Sequence, residues 1–337
     1  MKETCALFIA GAAMTLFSAL GACAEPAPGA SEQTYAEKLG WPAGSRVVIF
    51  HIDDAGMSHD SNEGVIEAME KGVATSTSIM FPCPWVSEYA QYWKEHPGLD
   101  VGVHVTLTSE WKKYRWAPVA GKKAVPGLVD EEGCMWADVP QTMFKASPDE
   151  VETEIRAQLD RCLTMGLKPT HLDSHMGTVF ANINFFERYL KVGIENGIPV
   201  MLPAGHMEYV SKEVPLMVDV AKQMGKKAWD AGLPVLDDVN TGGGAKSPAD
   251  KKEQIIQFLR TFKPGVTQFI VHCTRPSEIF KEISGSGEMR LAELNAMCDP
   301  DIRKVIDEEK IIVTTWKELK ERRDKVGAAQ PQQPAAK

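Results

Sequence analysis

The chain is short of positive charge: 37 Lys and Arg stand against 46 Asp and Glu, giving a net charge of -9 and a pI near 5.5. Phosphate-backbone binding needs clustered Lys and Arg, and no such cluster is present, so a nucleic-acid partner is excluded. Cysteine is also scarce. Beyond the first 24 residues only Cys83, Cys134, Cys162, Cys273 and Cys298 remain, an odd number with no CxxC pair. That excludes a full disulfide framework and a thiolate zinc site. No repeat at solenoid period is visible. The glycine-rich NTGGGAKS, residues 240–247, has Ala245 rather than Gly before Lys246 and fails the phosphate-loop spacing, so an NTPase is rejected and Gly242 to Gly244 read as a turn.

A long apolar run is lacking too. The stretch from Ala6 to Leu20 follows Lys2 and is shorter than the roughly 20 residues of a membrane helix. With the small residues after it, it reads as an export signal over 1–24. Leu20-Gly21-Ala22-Cys23 resembles a bacterial lipobox that would lipidate Cys23, while Ala22-Cys23-Ala24 offers ordinary cleavage before Glu25. The expected location is therefore periplasmic or lipid-anchored at the cell envelope, with membrane contact only through Cys23. Residues 25–44 read as a linker and the low-complexity 326–337 as a disordered tail.

What the sequence does contain is a rhythm. At 44% hydrophobic and 25% charged residues, it can bury a large core. Strand-like runs at 46–53, 73–81, 100–107, 169–175, 198–203, 234–239, 266–273 and 310–315 alternate with helical patterns such as NEGVIEAMEKG, DEVETEIRAQLDRCLTMG and INFFERYLKVGIENG. About eight β-then-α units predict an α/β fold, a distorted TIM-like (β/α) barrel over 45–325, as a single domain with a long insertion after strand three at 108–147.

The first run ends in an adjacent pair, Asp53 and Asp54, within HIDDAGMS. An uncompensated buried carboxylate costs several kcal/mol and two adjacent ones repel. Either Asp54 caps the next helix while Asp53 is solvated, or the pair sits at a cation site. In a parallel barrel the C-terminal strand ends share one mouth, which would gather Asp54, His104, His175 and His272. One carboxylate and two imidazoles at an open site suit a divalent metal. Asp54, His104 and His175 are then the expected ligands, Asp53 the base and His272 the acid for a leaving group. His51 reads as a hydrogen-bonded core residue and His171 as packing or support. Trp111, Tyr114, Trp116 and Trp136 read as a sugar-stacking platform or as loop packing. The second acidic pair, Asp237 and Asp238, reads as a turn or helix start, with a substrate contact as the alternative.

The stretch HIDDAGMSHDSNEGVIEAMEKGVATSTSIMFPCP resembles the opening of the YdjC-like carbohydrate deacetylases, the group that includes chitooligosaccharide deacetylase. The likeness is kept at Asp53, Asp54, Gly56, Asn62, Gly64 and Thr75 to Ser78, and continues in VGVHVTLT, PGLVDEEG, HLDSH and VHCTRPSE, over about residues 46–316. The resemblance implies a distorted barrel, a divalent ion (Mg or Zn) on Asp54, His104 and His175, Asp53 as catalytic base, and hydrolysis of N-acetyl groups on amino sugars or oligosaccharides. Two departures are DSHMGTVF, which lacks the histidines that usually follow, and Cys273-Thr274 where Pro-Gly is usual after the late His. The rival readings are a barrel metallohydrolase acting on another amide or a phosphoester, and an exported, inactive carbohydrate-binding protein.

Overall fold

The computed structural model describes residues 32–329. The export signal over 1–24, Cys23 and the end of the tail from residue 330 lie outside the described residues. No described helix is long and apolar enough to cross a membrane.

The expected alternation is present. Helix α1 (Tyr35–Lys38) precedes β1 (Arg46–Ala55), α2 (His59–Lys71), β2 (Ser76–Ile79), α3 (Val86–Glu95) and β3 (Val101–Val105). Then come α4 (Val139–Lys145), α5 (Pro148–Thr164), β4 (Leu172–Ser174), α6 (Ile183–Asn196), α7 (Val210–Glu213), α8 (Val218–Asp230) and β5 (Asp238–Asn240). The remainder is α9 (Lys251–Thr261), β6 (Gly265–Val271), α10 (Phe280–Ile283), α11 (Gly287–Met297), α12 (Pro300–Glu308), β7 (Ile312–Val313) and α13 (Trp316–Ala329). Local chemistry sets the helix starts. Ser147 and Glu150 form a capping box on α5 with Pro148 in its first turn, and Ser58 caps α2 by accepting from Ser61 N.

Every strand pairing is parallel, in the order β4-β3-β2-β1-β6-β5, with β7 on β1 through Val47↔Ile312 and Val48↔Val313. The sheet curls as a half-barrel. Single parallel bridges, Leu172↔Val200 and Pro203↔Leu236, carry on from β4 through the run at 198–203 towards β5. That run is the one of the eight that carries bridges without becoming a strand.

The two-residue period of β1 sorts its side chains. Val48, Phe50 and Ile52 pack into the large core beneath the helices. On the other face Val47 and Ile49 join Trp41, Leu236, Val266, Ile270 and Trp316 in a second apolar cluster, and the same face continues upward as His51 and Asp53. The inside of the sheet is thus apolar at its base and polar at the strand ends.

Two boundaries differ from expectation. Within the stretch 25–44 expected as a linker, Ala36, Leu39 and Trp41 are buried in the second cluster, and Asp237 accepts from Tyr35 N and Ala36 N at 2.9 and 3.1 Å. The apolar side chains bring this segment into the core. At the other end α13 runs to Ala329, into the segment expected as a tail from residue 326. Between β3 and α4 the only regular features are a 3-10 turn, Pro126–Leu128, and one antiparallel bridge, Val129↔Met135.

Candidate metal centre and active site

Adjacent residues of a regular strand point to opposite faces, so Asp53 and Asp54 would ordinarily part. Here the register against β2 runs His51↔Ser76, Ile52↔Thr77, Ala55↔Ile79, an extra residue on β1 and hence a bulge. Asp54 takes a left-handed backbone, φ 70, and Gly56 follows at φ 79. Asp tolerates this region better than most residues. The bulge turns Asp54 to the side already occupied by Asp53, where both approach His104.

Asp54 Oδ1 lies 3.4 Å from His104 Nε2 and 3.3 Å from His175 Nδ1, and those two nitrogens lie 3.3 Å apart. All three residues are buried. A triangle of this edge has its corners about 1.9 Å from its centre, close to the roughly 2.0–2.2 Å of zinc bonds to His and carboxylate. Neither Asp54 oxygen has a hydrogen-bond partner of good geometry among the described residues. Each imidazole is bonded on its outer side: His104 Nδ1 donates to Asp173 Oδ1 at 2.8 Å, and His175 Nε2 to Glu110 Oε1 at 3.0 Å. These bonds turn the free nitrogens inward, the arrangement of metal-binding histidines held by carboxylates. The donor set therefore fits a divalent cation.

The electrostatics agree. Burial alone would raise the Asp54 carboxyl, yet the Arg290 guanidinium and then His104 and His175 hold it well below the usual carboxylate range. Burial would lower both imidazoles, but Asp173 and Asp53 keep His104 well above its ordinary value, and Glu110 and Asp54 bring His175 up to about 9. A field that favours protons on buried imidazoles favours a metal cation in their place.

Asp53 stands beside this triangle. Its Oδ1 is 3.3 Å from His51 Nε2, and its Oδ2 is 3.8 Å from both His104 Nε2 and His272 Nε2. His272, one-third exposed, is the most open of the five expected residues, so the structure brings all five to one mouth. His51 is a buried, hydrogen-bonded residue, as expected. It hydrogen-bonds Ser76 and Ser78 and lies 2.7 Å from Asp173 Oδ2. His171 packs, stacking on Trp316 at 5.2 Å, while burial and the nearby His51 push its imidazole well below the usual value.

Three further residues of the site are given no role by the sequence. Asp173 joins His104, His51 and Ser78, and burial, which would raise it, is outweighed by His104 and His51. Glu110 comes from the segment after β3. Arg290 on α11 reaches Asp54 Oδ2 at 2.7 Å. Asp173 carried a signal, the middle of HLDSH at a strand end; Glu110 and Arg290 carried none. Of the aromatics, Trp116 is buried among Met57, Met80 and Cys83, and both it and the half-buried Trp111 stand near the His175 ring, at 6.5 and 6.3 Å between ring centroids. Asp237 anchors α1, and Asp238 accepts from Tyr209 N at 2.9 Å, so neither starts its own helix.

A family model described as YdjC-like protein matches residues 47–308. A carbohydrate deacetylase from Thermoanaerobacter pseudethanolicus is 25% identical over 275 residues, covering 82% of this chain and 100% of the relative. One from Brevibacillus brevis is 29% identical over 274 residues, covering 81% and 99%. Among solved structures, a protein from Enterococcus faecalis described as a candidate for cellobiose-phosphate cleavage aligns with a TM-score of 0.70 at 24% identity, covering 82% of this chain and 99% of its own. That last likeness speaks to the fold.

Proposed function

The chain belongs to the YdjC-like family, and we propose that it is a metal-dependent hydrolase removing N-acetyl groups from amino sugars or their oligosaccharides. The curled sheet with its two bridges is read as a distorted (β/α) barrel, with 108–147 inserted after β3. The observation that carries the proposal is the triangle of Asp54 Oδ1, His104 Nε2 and His175 Nδ1, each 3.3–3.4 Å from the others. The relatives named carbohydrate deacetylase, matched over nearly their whole length, supply the reaction class.

Asp54, His104 and His175 would hold a divalent ion, Mg or Zn. Such an ion supplies Lewis acidity, polarising a carbonyl and making water more acidic. The protein's own groups do the rest. Asp53, whose buried Oδ1 makes no hydrogen bond of good geometry among the described residues, accepts a proton from the water that attacks the acetyl carbon. His272 donates a proton to the sugar nitrogen as the C–N bond breaks, so the products are acetate and the free amine. Asp173 and Glu110 fix the orientation of the two ligand imidazoles. Arg290 holds Asp54 Oδ2, which would leave Oδ1 available to the ion.

The test is acetate release from a panel of N-acetylated amino sugars by the Mg- or Zn-loaded protein, with metal content measured in parallel. Wild type is expected to release acetate, and Asp54→Ala and His175→Ala to lose both metal and activity. Bound metal without acetate release from any member would overturn the deacetylase reading in favour of another barrel metallohydrolase.

A further inference from the structure

Behind His272 lies a buried ion pair that neither the metal triangle nor the base requires. Glu293 and Lys251 are 5% and 3% exposed, and Lys251 Nζ sits 3.0 Å from Glu293 Oε1. Burying such a pair carries a large desolvation cost before attraction repays it, so its location needs a reason. The other glutamate oxygen supplies one. Oε2 accepts from the backbone N–H of His272 at 2.6 Å and lies 3.7 Å from the ring Nδ1. The opposite ring nitrogen, Nε2, faces Asp53 Oδ2 at 3.8 Å. Lys251 is itself held by the Gly242 carbonyl at 2.7 Å, which gives the triglycine turn a role in this chain of contacts.

We propose that Glu293 is a positioning residue for His272, with Lys251 as its counter-ion: it fixes the backbone at the end of β6 and sets its charge against Nδ1, so that Nε2 is presented at the mouth. This deepens the deacetylase reading and rests on it for the role of His272. Glu293 stands one helical turn from Arg290 on α11, so a single helix face secures both Asp54 and His272. Burial would raise the Glu293 carboxyl, but His272 and then Lys251 hold it down to about 2, so it is a carboxylate in the fold. The groups facing it are His272 and Lys251, with the neutral Cys273 thiol beside it and Asp53 across the imidazole.

The experiment compares metal-loaded wild type with Glu293→Gln, with Glu293→Asp, and with Glu293→Gln combined with Lys251→Met, which leaves no lone buried charge. On an N-acetylated sugar that wild type turns over, Glu293→Gln is expected to lose about 100-fold in kcat, the lower end of a general acid's contribution, with KM within about twofold. Glu293→Asp recovers much of it, and the double variant folds but stays slow. An activity-independent arm uses long-range 1H–15N correlation of the His272 ring, assigned by its loss in His272→Gln. The ring nitrogens shift in Glu293→Gln and return in Glu293→Asp. An unchanged His272 spectrum in Glu293→Gln, or unchanged kcat, overturns the proposal. Absence of acetate release by wild type overturns the deacetylase reading instead, and the ring spectra then decide the role of Glu293 alone.

Discussion

Asp173 shows how much one carboxylate organises here. It is buried, accepts from Ser78 Oγ at 2.7 Å, and contacts His104 on one oxygen and His51 on the other. Removing its charge while keeping its shape leaves two imidazoles without the group that orients them. Asp173→Asn is therefore expected to weaken divalent-metal affinity by about 10- to 100-fold, read by calorimetric titration; unchanged affinity would show that the ligand histidines orient without it. The three expected ligand positions were legible in the sequence because each stands in or at the end of a strand-like run, where a barrel gathers side chains. Asp173 stood there too, yet its role depends on partners at positions 51, 78 and 104, and adjacency along HLDSH says nothing of those contacts. Arg290 and Glu293 were invisible for a related reason: in GEMRLAELNAM they look like the charged face of an ordinary surface helix.

At the scale of elements, the bulge in β1 is the device that makes two neighbouring aspartates share a face. Strict alternation would have separated them, so the spacing alone could not place both in the site. The turn that closes the bulge depends on Gly56, whose φ is 79 and whose added Cβ would meet Val86 Cγ2 at 3.0 Å and Ile79 Cγ2 at 3.1 Å. Gly56→Ala is expected to destabilise by at least about 1–2 kcal/mol, the left-handed backbone cost, in urea unfolding; a shift under about 0.5 kcal/mol would mean the turn relaxes freely. Helix α5 holds the segment after β3 through Glu154, which accepts from Val119 N and Ala120 N at 2.9 and 2.8 Å. Burial pushes its carboxyl up to about 7 from an ordinary 4.5. Between those values the fold keeps a proton that the unfolded chain releases, so this group's contribution to stability falls as pH rises through the window. In Glu154→Gln that slope is absent, and the unfolding free energy of the variant relative to wild type should climb from pH 4.5 to 7.5. A difference that stays flat with pH contradicts the assignment.

For the molecule as a whole, the repeated β-then-α pattern was enough to expect a parallel, curled sheet, because hydrophobic period and turn chemistry recur along the chain. The N-terminal boundary was not legible in the same way. EPAPGASEQT reads as a tether, but the residues just after it insert Ala36, Leu39 and Trp41 into the base of the sheet, and Asp237, more than two hundred positions away, accepts from their backbone. The apolar base and the polar strand ends then divide the interior, so that charged side chains from β1, β3 and β4, from the segments that follow β3, β4 and β6, and from α11 meet at one mouth. Stability should follow the ion: a metal present at a hundred times its Kd stabilises a protein that binds it only when folded by about 2.7 kcal/mol. The most direct test of this arrangement is an anomalous-scattering crystal structure of the protein loaded with Zn. The predicted result is one ion within about 2.0–2.2 Å of Asp54 Oδ1, His104 Nε2 and His175 Nδ1 together; an ion bound elsewhere, or no ion at this triangle at saturating Zn, would contradict it.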